Sequence, residues 1–137
     1  RNDNDAVSDI AKGIVRIARK ESDHVSGGNL DAVRDFLDVR DAVRALIQLA
    51  KCGTLGEVYN LCSGNGHRLR EVLDGLIALA GIPVKIAVDP KRVRGGDDAI
   101  LVGDNSKLQG LGWKPQIPLS ATLRDVLEFW RITYERR

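Results

Sequence analysis

Two arginines, Arg34 and Arg94, stand where a helix or strand is about to begin or end. A guanidinium fork matches a phosphate with paired hydrogen bonds, and two forks converging on a diphosphate supply local charge without a basic protein around them. Arg94 is followed by Gly95, Gly96, Asp97 and Asp98, a loop composition suited to holding both phosphate and sugar hydroxyls. The same residues also read as a solvated charged loop, with Arg34 bridged to Asp31 or Asp35.

Other chemistries are tested by counting. Gly64-Asn65-Gly66 lies between a predicted strand and a predicted helix, with Asp89 ending the next strand, which imitates the start of a dinucleotide-binding unit. The third glycine of that pattern belongs at position 69, which is Leu69, so a plain strand-to-helix turn is the simpler reading. No tyrosine is followed four residues later by lysine, since Tyr59 leads to Ser63. His24 and His67 have no nucleophile motif beside them and no carboxylate at ligand spacing, so surface positions are expected for both. Cys52 and Cys62 fit no zinc spacing and are too few for a disulfide framework, so buried, reduced thiols are expected.

The whole composition sets limits on these sites. At 137 residues, with 43% apolar and 29% charged residues, the chain is long enough for one folded unit and too apolar for disorder. A net charge of +2 gives no field for nucleic acid, so anion recognition must be local. No stretch reaches membrane-span length, and RNDNDAVSD at the start is neither signal peptide nor basic anchor, which makes a cytoplasmic setting without a membrane partner the expectation. The sequence contains no methionine, which suggests a leader removed or a piece of something longer.

The elements that must position these residues follow from apolar periodicity. Val7, Ile10, Ala11, Ile14, Ile17 and Ala18 predict a helix from about Asp5 to Lys20. An extended run begins at Val33, and Asp38 caps a second helix whose apolar stripe is Val39, Val43, Leu46, Ile47 and Ala50. Residues Glu57 to Cys62 read as a strand buried on both faces. Leu69 to Ala80 predicts a third helix stopped by Gly81 and Pro83, Val84 to Val88 a strand, and Leu119 to Trp130 a final helix after one or two turns within Asp104 to Leu111. The alternation predicts a single α/β unit over residues 1–137, helices packed on a small sheet.

Three blocks carry a resemblance across nearly the whole chain: Gly28 to Asp41 (GNLDAVRDFLDVRD), Glu57 to Gly64 (EVYNLCSG) and Leu111 to Pro115 (LGWKP). In this order they resemble the C-terminal, substrate-binding part of extended short-chain dehydrogenases/reductases acting on nucleotide sugars, the NAD-dependent epimerase/dehydratase family. The Arg-Asp-Phe and Asp-Val-Arg-Asp wording is most similar to GDP-4-dehydro-6-deoxy-D-mannose reductases, then to GDP-mannose 4,6-dehydratases. The resemblance implies that Arg34 and Arg94 grip the diphosphate of a GDP-linked sugar from opposite sides, and that Asp97 binds a ribose hydroxyl. It also implies that Lys12 approaches the phosphates and that Asn29 and Leu30 lie beside the nucleotide. Where the family usually has proline after the second arginine, this chain has Gly95, so that arginine should be less preorganised.

In the family, the glycine-rich NAD(P) loop and the Tyr-x-x-x-Lys pair lie upstream of these blocks. The resemblance therefore implies no catalytic residue and no cofactor bound here, NAD(P) being held by a Rossmann half that is missing or separate. The surface that would meet that half should be apolar, left exposed or buried in a second copy.

Overall fold

The computed structural model describes residues 5–88 and 99–136. The first helix, α1, spans Ala6–Ala18, and Asp5 caps it by accepting a hydrogen bond from the Val7 amide at 3.2 Å. Its buried face is Val7, Ile10, Ala11, Ile14 and Val15, the 3.6-residue stripe that the sequence predicts. Gly13 has a packing reason: a β-carbon there would meet Val25 Cγ2 at 3.0 Å. The next strand can approach the helix because that atom is absent.

That strand, β1 (His24–Gly27), pairs in parallel with β4 (Lys85–Val88), His24 opposite Lys85. A second sheet has β2 (Val33–Asp35) at its centre, antiparallel to β3 (Gly66–Arg68) and parallel to β5 (Ile100–Leu101). The helices are α2 (Val39–Cys52), α3 (Leu69–Ala80), the short α4 (Ser106–Gln109) and α5 (Leu119–Glu135). The α/β class holds, but the small sheet is divided in two.

The main core lies where α1, α3 and α5 meet, with Ile14, Leu73, Leu76 and Leu127 at 2% exposure or less. Truncating one of these to alanine costs about 2–5 kcal/mol in cores of this kind. Ala45, Leu108 and Trp113 form a second, smaller cluster that fastens α4 and the segment after it to α2. Helix α3 begins and ends where predicted, closed by Gly81 in the left-handed region at φ 67°.

Four expectations are corrected. The stripe predicted to bury α2 points outward: Val39, Val43, Leu46 and Ile47 are 49–70% exposed, while Asp41 and Ala45 face inward. Residues Glu57 to Cys62 join no strand ladder among the described residues, and Val58 is 80% exposed. An apolar run becomes a strand only where a neighbouring edge accepts its backbone, and none pairs with this one among the described residues. Gly64-Asn65-Gly66 does not lead straight into a helix, because Gly66 opens β3 and α3 starts at Leu69. Cys52 is exposed and Cys62 only half-buried, both as free thiols.

Candidate functional site

The Arg-Asp-Phe block starts in β2 and runs to the N-terminus of α2, and its acids act as fasteners. Asp35 accepts from the Ser63 amide at 2.8 Å, the Ser63 hydroxyl at 2.6 Å and the Gly64 amide at 2.9 Å. It also takes the Gly103 amide at 3.3 Å, so one carboxylate gathers three separate segments. Beside it, burial and then the Asp35 charge push the Cys62 thiol up.

Asp38 is the N-cap of α2, as the sequence predicts, accepting from the Arg40 amide at 2.9 Å. The Arg40 guanidinium grips the same carboxylate through Nε and Nη2, each at 2.8 Å, and reaches Asp125 on α5 at 2.7 Å. The Thr122 hydroxyl donates to Asp38 at 2.7 Å. The bonds from Arg40 above all hold the Asp38 carboxyl far below the usual carboxylate range despite its burial.

Asp41 is fully buried one turn further along α2. Burial works against its charge, yet its acidity is increased because Arg44 and the Ile117 and Gln116 amides all donate to it. Asp35 thus joins the first sequence block to the second, Asp41 joins it to the segment just past the third, and Asp38 joins it to α5.

Between α1, the segment 36–40 and α5 opens a cavity of about 500 Å³. Lys12, Phe36, Thr122, Phe129 and Trp130 are among its walls. The Lys12 ammonium sits 4.4 Å from the centre of the Trp130 ring and 3.9 Å from Asp9. Such a volume lies in the range that accommodates small ligands.

The predicted binding residues divide into three groups. Lys12 borders the cavity, and Arg34, half-buried on β2, stands two residues before the cavity residue Phe36 while donating to the Val33 carbonyl at 2.8 Å. Asn29 is exposed in a turn closed by its own side chain, which accepts the Asp31 amide at 3.1 Å, whereas the Leu30 side chain is buried in the main core. Arg94 and Asp97 lie outside the described residues. Trp130 and Phe129 were legible only as helix residues, since nothing in the local pattern announces that α5 lies beside Lys12.

His24 and His67 lie in strands; His24 is exposed, the surface position expected for it, and bonds Asp23 at 2.6 Å, while His67 is half-buried and 3.6 Å from Glu71. A β-carbon on Gly66 would come within 2.7 Å of both Val33 Cγ1 and Val102 Cγ2, so this glycine serves packing within the sheet. That geometry does not fit the pyrophosphate cradle of a nicotinamide dinucleotide.

Comparison with known proteins gives a consistent picture. The chain is 33% identical over 132 residues to GDP-6-deoxy-D-mannose reductase of Pseudomonas aeruginosa, covering 95% of this chain and 43% of that protein. It is 36% identical over 115 residues to UDP-glucose 4-epimerase of Rhizobium meliloti, covering 77% and 34%. The structure of RMD from Pseudomonas aeruginosa complexed with NADPH superposes with a TM-score of 0.89 at 30% identity, covering 97% of this chain and 44% of that one. The chain thus spans less than half the length of these relatives. Residues 1–126 match the family model described as GDP-mannose 4,6 dehydratase, and with the α/β architecture and the joined signature blocks the chain belongs to that family.

Proposed function

We propose that the chain binds a GDP-linked sugar, as the substrate-positioning part of a reductase or dehydratase whose nicotinamide chemistry resides elsewhere. The observation that carries this reading is the cavity bordered by Lys12 and Phe36, with Arg34 on the strand leading to it. The Lys12 ammonium in the wall of a ligand-sized space suits a diphosphate, and the relative with GDP-6-deoxy-D-mannose in its name supports the choice of nucleotide. Binding through the nucleotide positions the sugar for a reaction that other residues perform.

The reaction would be reduction of a GDP-linked 4-keto-6-deoxy sugar, with the hydride coming from NAD(P)H. The outward stripe of α2 and the unladdered segment Glu57 to Cys62 support a second element of the proposal. Both expose apolar side chains, Leu46 and Ile47 on the helix and Val58 on the segment, which suits docking to the cofactor-binding half that completes such enzymes. Calorimetric titration with GDP tests the binding reading. Saturable heat with a one-to-one end point is the expected result, and no heat at millimolar GDP overturns it.

A further inference from the structure

Beside Arg34 stands a second basic side chain that sequence spacing conceals. In the antiparallel pairing of β2 with β3, Arg34 lies directly opposite His67. Directly opposed residues share one face of a sheet, with β-carbons about 5 Å apart. On the other flank of Arg34, in β5, the matching residue is Leu101, 59% exposed. This face of the sheet therefore carries a half-buried guanidinium at its centre with a half-buried imidazole next to it.

The charged groups around His67 come from three elements. Arg34 faces it from β2, and Glu71 faces it from α3, with Oε2 3.6 Å from Nδ1. Asp35 alternates to the opposite face of β2, where Ser63, Gly64 and Gly103 donate to it. Arg68 alternates away from His67 on β3 in the same manner, and Arg70 on the first turn of α3 is exposed. Glu71 thus occupies the Nδ1 side of the ring, and Nε2 has no partner among the described residues. A neutral ring with its one proton on the nitrogen nearest the carboxylate presents a lone pair at Nε2. A protonated ring presents an N–H there instead.

We infer that His67 is a further anion-binding residue, its Nε2 joining Arg34 on the diphosphate of the ligand and tightening the grip when the ring is protonated. This rests on the GDP-sugar reading and adds to it both a residue and a response to pH. Strand pairing brings His67 there, since it belongs to none of the three sequence blocks.

The probe is GDP-mannose, whose diphosphate is esterified at both ends and does not titrate between about pH 5.5 and 8, the range in which histidine gains its charge. Its affinity for the 137-residue chain, read by calorimetric titration, is expected to rise about tenfold from pH 8 to pH 5.5, the scale that separates a charge-assisted contact from a neutral one. Asp38 and Asp41 keep their charge across that range, so folding should persist, and circular dichroism checks it for each variant. His67→Gln, which keeps an N–H but cannot gain charge, should bind without the pH response, and so should His67→Ala. His24→Gln, on the other sheet, should retain the full response. A response that survives in both His67 variants, is lost in His24→Gln, or is absent from the unsubstituted chain overturns the assignment of His67 and leaves the nucleotide reading standing. If GDP-mannose binds at neither pH, both readings fall.

Discussion

The indole Nε1–H of Trp113 donates to the main-chain carbonyl of Asp41 at 3.2 Å, across 72 positions of sequence. The Asp41 side chain takes the amides of Gln116 and Ile117, each at 2.9 Å. One residue on the first turn of α2 thus holds both the side chain and the backbone of the segment leading into α5. The same segment leads into α5, which supplies one wall of the cavity.

Asp41→Ala should therefore be strongly destabilising. It leaves the Gln116 and Ile117 amides and Arg44 without their acceptor, a loss of about 3 kcal/mol for a buried, charge-assisted cluster. Chemical denaturation monitored by circular dichroism reads this directly. A change below about 0.5 kcal/mol, the scale of ordinary surface substitutions, would contradict the role assigned to Asp41.

Asp35 and Ser63 should behave as one unit. The Asp35→Ala and Ser63→Ala variants each lose bonds of the same cluster, so the double variant should lose less than the sum, by about 0.5–3 kcal/mol. Strict additivity in a double-mutant cycle would show that the carboxylate does not organise the 63–64 turn.

Acid should unfold the protein through Asp38 and Asp41. Both carboxyls ionise more readily folded than unfolded: in Asp38 chiefly through the bonds from Arg40, and in Asp41 because Arg44 and two amides overcome the opposing effect of burial. The unfolded chain then binds more protons than the folded one between the two states' pKa values, so stability falls as pH falls. The contribution is complete above about pH 4 and is lost progressively below it. Denaturation midpoints measured from pH 6 down to pH 2 should decline, and Asp38→Asn should flatten the decline. An unchanged slope in that variant would remove Asp38 from the explanation.

Arg34→Ala should weaken GDP binding by about 1.5–3 kcal/mol if its guanidinium makes a charge-assisted contact with phosphate. Arg94→Ala is expected to act similarly. Affinity equal to that of the unsubstituted chain for both variants would return these arginines to the solvated-charge reading.

The outward face of α2 should make the chain self-associate or bind apolar dyes. Replacing Leu46 and Ile47 with lysine should suppress both while leaving helix content intact, because these side chains are 57% and 50% exposed and touch little of the core. Sedimentation of the unsubstituted chain as a strict monomer, with no dye fluorescence, would count against a docking role for this face.

What the sequence by itself determined is mostly local. The cap at Asp38, the stop at Gly81 and the buried stripe of α1 rest on interactions within a few residues, and the structure has them where the spacing requires. The order and wording of the three signature blocks also sufficed for the family. Tertiary structure alone decided what those blocks do: Asp35, Asp38 and Asp41 prove to be fasteners between distant segments, and Lys12 meets Trp130 across 118 positions. It also decided that α2 turns its apolar stripe outward and that Glu57 to Cys62 joins no ladder among the described residues. Periodicity reports that a face is apolar, but which surface covers it depends on neighbours distant in sequence. A strand likewise needs an edge that its own residues do not encode.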